Sequence, residues 1–218
     1  MYRIIITYNR DIKERFEQEV KVTQEALKQI IEVLNLKERI ELESIPNLDL
    51  YMDQVITIFE EKLKHTKRYE GDKLLTKTMI NNYTKDKLLM PAVKKKYTKE
   101  HVLLMILLYD LKQVLTIGDI KSLFGTIIKE DKVDAELLAR IYEIYLDARV
   151  TYANEFEIEA TRINEYVTKE MDKLVFDSEH GEDEKLSSML EVIVLTEKAN
   201  YYKRLAEKII DEKIRITN

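Results

Sequence analysis

Three consecutive lysines in the stretch MPAVKKKYT are the residues of this chain best suited to bind an anion. Lys94, Lys95 and Lys96 place three ammonium groups side by side, and ammonium groups are common ligands of nucleic-acid phosphates. Pro91 cannot continue a helix, and the run ends at the β-forming residue Tyr97. The sequence therefore predicts a short extended hairpin that carries the lysines, with Tyr97 as the aromatic residue that anchors it.

A set of polar side chains precedes the lysines, on a helix predicted over residues 74–87. Leu75, Met79, Ile80 and Tyr83 recur at helical spacing and would face the core. On the other face, amide and hydroxyl groups are suited to read base edges in a major groove, while lysines contact phosphates. The predicted DNA-binding residues of this helix and its end are Thr76, Lys77, Thr78, Asn81, Asn82, Lys85 and Lys87. Those of the hairpin are Lys94, Lys95, Lys96 and Tyr97.

The charge distribution also favours an anionic partner. Between Lys62 and Lys99 the chain has twelve Lys or Arg against three acids, a net charge of +9, although the whole chain carries −5. The remainder therefore carries −14, so the overall acidity conceals a local basic segment. The alternative is an ordinary solvated helix face, but such a face mixes both signs.

The residues that most enzymes use are missing or scattered. There is no cysteine, so thiol catalysis, disulfides and cysteine metal sites are excluded. The three histidines are far apart, and the four glycines cannot form a dinucleotide or phosphate loop. We therefore predict no catalytic residues, no metal, no cofactor and no enzymatic activity.

The elements that must position these residues are predicted to be mainly helical. Glycine (4) and proline (2) are scarce while 45% of residues are hydrophobic, which is typical of an all-α protein. No stretch approaches the roughly 18 apolar residues that span a bilayer, so we expect a soluble cytoplasmic protein with no membrane partner. Besides residues 74–87, apolar spacing predicts helices over residues 11–36, 50–64, 133–175 and 186–214, and an apolar helix capped by Thr98. A short helix is predicted from Thr116 to Gly125, with Asp119 three residues after Thr116 as in a capping box.

The order of these elements is that of a winged helix-turn-helix: helix, turn, polar-faced helix, basic loop, apolar helix, short capped helix. The stretches MINNYTKDKLLMP, KKKYTKEHV and LKQVLTIGDIKSLF resemble the DNA-binding domain of MerR-type transcriptional regulators. The resemblance assigns family positions to Tyr83, Leu88, Leu89, Pro91, Lys94, Lys96, Tyr97, Ile117, Ile120 and Lys121. Three features depart from it: Asn81 replaces a phosphate-binding arginine, Lys87 replaces a glycine, and the wing has lysine where arginine is usual.

Residues 45–125 also resemble a domain-of-unknown-function family of Gram-positive bacteria, which implies a transcriptional regulator. On this basis we predict an N-terminal helical extension (1–44), a MerR-like winged helix DNA-binding domain (45–130) and a long-helix dimerisation or effector domain (131–218). The predicted partner is double-stranded DNA, and the effector is left open.

The resemblance further implies a homodimer, because MerR relatives dimerise through a long helix after this domain. Residues 133–175 carry the necessary apolar pattern. In the alternative, the long helices pack on one another as a monomeric bundle. The other functional hypothesis is a helical protein–protein interaction module whose basic patch meets an acidic partner.

Overall fold

The computed structural model describes residues 24–171, 173 and 180–215. It is mostly helical (69% helix and 5% strand), which confirms the predicted helical class. Over the described residues the predicted 11–36 helix is present at residues 24–33. Its earlier part lies outside the described residues.

Seven helices and two small sheets make up the described part of the chain. The helices are α1 (residues 24–33), α2 (Met52–Lys62), α3 (Lys77–Lys85), α4 (Lys99–Leu111), α5 (Ile117–Phe124), α6 (Ala135–Met171) and α7 (His180–Ile209), which a π-helical turn, Ile210–Ile214, follows. The antiparallel pairs are β1 (Leu50–Tyr51) with β2 (Lys96–Tyr97), and β3 (Ile128–Lys129) with β4 (Lys132–Val133). No described helix combines the length and hydropathy needed to cross a membrane.

The chain divides into two compact units, and both units are discontinuous in sequence. One comprises residues 1–36 and 151–199, and the other comprises residues 37–150 and 200–218. The second unit therefore contains the first part of α6 together with α2 to α5. The domain boundaries predicted near residues 44 and 130 stay predictions.

Helix α4 forms the centre of the second unit. All eight residues from His101 to Leu108 are buried. A helix that is apolar on every side is stable only where other elements surround it. Its neighbours in this core cluster include Val55, Phe59, Ile80, Leu88, Ile120, Leu138 and Tyr142.

The only histidine of this core, among the described residues, caps α4. His101 is 3% exposed, and its Nδ1 accepts the backbone N–H of Thr98 at 3.1 Å. The proton therefore lies on Nε2, which donates to the Met90 carbonyl oxygen at 3.2 Å. Burial lowers the pKa of His101 below its ordinary value of 6.5, because the charged ring would lose its hydration.

Because His101 is buried in its neutral form, the free energy of unfolding should depend on pH. As pH falls through 6.5, the unfolded His101 takes up a proton and the folded one does not, so stability present above that pH is lost below it. Between roughly pH 7.5 and pH 5.5, we expect the free energy of unfolding to fall less in His101→Gln than in the wild-type protein, as measured by urea unfolding. Glutamine does not titrate, and it can keep the cap. At the equivalent position of α2, the Gln54 side chain accepts the N–H of the capping residue Tyr51 at 2.8 Å. An unchanged pH dependence in the variant would contradict this prediction.

Two tyrosines hold the first part of α6 against the rest of the second unit. The Tyr142 hydroxyl donates to the Ile40 carbonyl oxygen at 2.7 Å. The Tyr145 hydroxyl donates to the Asp110 carboxylate, which also accepts a bond from Arg149 at 2.7 Å. Asp110, near the end of α4, is therefore paired with Arg149 on α6.

The π-helical turn that follows α7 is held against α5. Asp119 caps α5 together with Thr116, as the sequence predicted, and Arg215 donates to the Asp119 carboxylate at 2.7 Å. The bond from the Thr116 hydroxyl, with the nearby Arg215, keeps the pKa of Asp119 below its ordinary value. The Arg215 side chain also donates to the Ser122 hydroxyl at 3.0 Å.

The first unit consists, over its described residues, of α1 with the later part of α6 and most of α7. Gln24 on α1 donates to the Glu165 carboxylate at 2.9 Å. On α6, the buried Asn164 donates to Glu191 of α7, and Glu159 accepts a bond from Lys198. Polar pairs of this kind fix which residues of neighbouring helices face each other.

Candidate nucleic-acid interface

Helix α3 presents the predicted polar face to solvent. Thr76 precedes the helix, and its hydroxyl accepts the Met79 N–H at 3.1 Å, so this side chain acts as the N-cap. Ile80 and Tyr83 are buried on the opposite side. The exposed side chains of the helix include Lys77, Thr78, Asn81, Asn82 and Lys85.

Lys87 ends the helix in a conformation that favours glycine. Its φ is 60°, its N–H donates to the Thr84 carbonyl at 3.1 Å, and the Leu88 N–H donates to the Tyr83 carbonyl at 2.8 Å. This pair of bonds defines a Schellman motif, in which glycine usually occupies the left-handed position. A lysine there costs about 1 kcal/mol relative to glycine and leaves its charge exposed just beyond the helix.

The predicted hairpin is present and has an unfavourable turn sequence. Val93 and Lys96 form an antiparallel bridge, with the Lys96 N–H donating to the Val93 carbonyl at 3.0 Å. The two residues between them, Lys94 and Lys95, have φ values of 52° and 63° and are exposed. A two-residue turn with positive φ at both positions is a type I′ turn, for which Asn-Gly is strongly preferred. Lysines at both positions are therefore conformationally costly.

Tyr97 anchors the hairpin from the inside. It is 4% exposed, its ring meets the His101 ring edge-to-face at 5.5 Å, and burial raises the pKa of its hydroxyl. Leu50 pairs with Tyr97 and Tyr51 pairs with Lys96, so β1 holds the hairpin on the core. The structure places Tyr97 as a positioning residue whose ring is not accessible to a ligand.

Two further residues, which the sequence pattern does not reveal, connect the hairpin with α3. Tyr51 is 54% exposed, and the Lys96 ammonium lies 5.4 Å from the centre of its ring. Asp53, two residues later, forms an exposed ion pair with Lys77 at 2.6 Å. The strand pairing of Tyr51 with Lys96 joins residues distant in sequence, so no local pattern could have found it.

A second hairpin lies where the sequence predicts only a domain boundary, near residue 130. It joins β3 to β4, and its turn residues Glu130 and Asp131 have φ values of 49° and 57°. Its backbone therefore resembles that of the Lys94–Lys95 turn while its turn charges are opposite. It offers an internal control for experiments on the lysines.

Across the part of the chain that the structure describes, no group of three or more His, Asp or Glu side chains could hold a metal ion. The charged groups of α3, its C-cap and the hairpin are lysines and one exposed acid, Asp86, while Asp53 of α2 pairs with Lys77. This arrangement of exposed ammonium, amide and hydroxyl groups can bind an anion and donate hydrogen bonds to it.

Comparison with known proteins identifies a domain but not an activity. The model of the DUF1836 family, described as a domain of unknown function, matches residues 40–147. A DUF1836 domain is therefore present there, and it includes α2 to α5, both hairpins and the first part of α6. The resemblance to a domain-of-unknown-function family is confirmed at this level, and the MerR-like relationship stays a prediction. No curated protein and no solved structure matches the chain.

Proposed function

We propose that this chain is a sequence-specific DNA-binding transcriptional regulator. In this proposal the exposed face of α3 reads base edges, and the Val93–Lys96 hairpin is a wing on the phosphate backbone. The observation that carries the proposal is the pair Lys94 and Lys95 at positive φ. Residues held in a costly backbone conformation are candidates for a functional role, and at Lys94 and Lys95 the side chains supply two exposed positive charges that the preferred Asn-Gly would not.

The polar face of α3 supports the choice of double-stranded DNA as the anion. Asn81 and Asn82 are exposed on the helix, and asparagine amides pair with the donor and acceptor of adenine in the major groove. Exposed lysines at both ends of the same helix, Lys77 and Lys85, are suited to the flanking phosphates. An acidic protein partner would explain the lysines but not the two adjacent amides.

The order of elements supports a winged helix-turn-helix. A strand, two helices and a hairpin follow one another as β1, α2, α3 and β2, and β1 pairs with β2. This pairing places the hairpin beside the start of α2, while the Asp53–Lys77 ion pair connects that start with α3. A duplex that meets α3 would therefore find the hairpin on an adjoining surface.

The proposal is tested by titrating the purified protein with fragments of its own upstream region and with random DNA at two salt concentrations. We expect a discrete footprint and affinity that falls steeply with salt, because phosphate contacts release counterions. Asn81→Ala and Asn82→Ala should each relax base preference by about 1–3 kcal/mol at particular positions. Binding no tighter than to random DNA would contradict the proposal and favour the interaction-module alternative.

We also propose a homodimer through α6. Within the first unit, α6 carries exposed apolar side chains six and eight residues apart, about two helical turns, which places them on one side. Exposed apolar side chains that share one side of a long helix are suited to pack against a second copy of it. The residues are Tyr152, Ile158 and Tyr166.

The dimer proposal predicts that Tyr152→Glu combined with Ile158→Glu gives a monomer. Both side chains are more than half exposed, so their replacement leaves the buried core intact, while two buried glutamates would strongly disfavour a dimer interface. Sedimentation equilibrium should show the mass change from two chains to one. Asn154→Glu, at an exposed polar position of the same helix, should leave the mass unchanged. A monomeric wild-type protein would contradict the proposal.

A further inference from the structure

The segment that joins α2 to α3 carries a second basic surface. We call residues 63–76 the α2–α3 loop. Its exposed cations are Lys64, Arg68 and Lys73, and its one exposed acid is Glu70. Its fourth cation, Lys67, forms an ion pair with Glu60 at 2.5 Å. Apart from Thr76, which caps α3, none of the loop residues was among those predicted to bind DNA.

The loop has a defined conformation. The Thr66 hydroxyl donates to the Leu63 carbonyl at 2.8 Å and lies 2.7 Å from the Tyr109 hydroxyl, which fixes the start of the loop to α4. Further along, the Tyr69 N–H donates to the Asp72 carboxylate at 2.9 Å, and the Asp72 N–H donates to the Tyr69 carbonyl at 3.0 Å. The Asp72 carboxylate is therefore engaged within the loop.

An exposed aromatic–cation pair lies within this loop. The guanidinium carbon of Arg68 is 5.3 Å from the centre of the Tyr69 ring, and Tyr69 is 63% exposed. Stacking on an aromatic face restrains the planar guanidinium while its N–H groups can still bind a phosphate in a bidentate manner. The Tyr69 hydroxyl can donate a further hydrogen bond to the same kind of ligand.

We infer that the α2–α3 loop is an additional phosphate-binding site, which extends the contact with double-stranded DNA beyond the part of the duplex that α3 and the hairpin cover. The inference rests on the proposed function. Two observations carry it: the loop leads directly into α3, with Lys73 four residues before Lys77, and its exposed cations have the same sign as those of α3 and the hairpin. The Arg68–Tyr69 pair adds the planar donor that the lysine-rich hairpin does not have.

The experiment compares affinities for random-sequence duplexes of about 12 and about 30 base pairs, the shorter close to one helical turn. The loop variant is Lys64→Ala with Arg68→Ala. Its matched control is Lys203→Ala with Arg204→Ala, a lysine and an arginine that are exposed on α7. The hairpin variant Lys94→Ala with Lys95→Ala is measured alongside, and circular dichroism checks that every variant is folded.

We expect the loop variant to bind the longer duplex about tenfold more weakly than wild type at low salt, with the slope of log affinity against log salt reduced by about 2. On the short duplex it should bind as wild type does. The α7 control should match wild type on both lengths.

Two other outcomes separate the hypotheses. If the loop variant binds the long duplex as wild type does, or loses affinity equally on both lengths, the extended contact is wrong while the proposed function stands. If the wild-type protein binds neither duplex at low salt, the proposed function is wrong, and this inference falls with it.

Discussion

Lys94→Asn combined with Lys95→Gly is expected to stabilise the folded protein and, at the same time, to weaken its binding to DNA. Asn-Gly is the preferred sequence for the type I′ turn that these residues form, so the exchange should raise the free energy of unfolding by about 1–2 kcal/mol. Loss of two phosphate contacts should lower affinity about tenfold at low salt and reduce the salt slope by about 2. Urea unfolding and DNA titration measure the two effects separately.

The β3–β4 hairpin provides the matched control. Glu130→Asn with Asp131→Gly makes the same replacement at two positions that also have positive φ. We expect a similar gain in stability with DNA affinity at least equal to wild type. If both hairpin variants bound DNA equally well, the strain at Lys94 and Lys95 would have no connection with an anionic ligand.

Tyr142→Ala is expected to have the largest effect on stability, a loss of about 3–5 kcal/mol in the free energy of unfolding. Its side chain is fully buried, and its hydroxyl donates to the Ile40 carbonyl. Burial raises the pKa of this hydroxyl, so it remains a protonated donor at all ordinary pH values. Tyr142→Phe keeps the ring and should lose only about 1–3 kcal/mol, the cost of an unpaired buried carbonyl.

Hydrogen exchange should show which helices lose stability in Tyr142→Ala. Because Tyr142 belongs to the same core cluster as Phe59 and Leu104, Tyr142→Ala should accelerate hydrogen exchange in α2 and α4. A domain that ended near residue 130 would instead keep its wild-type protection. Exchange measured by mass spectrometry therefore also tests the predicted domain boundary.

Much of the helical structure could be predicted because its determinants are local. Thr116 and Asp119 are three residues apart and cap α5 as expected, and the apolar spacing from residue 133 predicted a long helix close to the observed Ala135–Met171. The hairpin at Lys94 followed from Pro91 and the β-forming Tyr97. In each case the side chains that decide the conformation are neighbours in sequence.

Sequence alone thus determined the helices, the caps at Thr98 and Thr116, the basic segment and the exposed face of α3. The tertiary structure decided which residues meet: Tyr51 beside Lys96, Asp53 with Lys77, and Tyr142 with Ile40, which is 102 positions away. It also decided that the Tyr97 ring is buried. Capping and periodicity depend on hydrogen bonds and spacings within a few residues, whereas strand pairing and burial depend on how the whole core packs around α4.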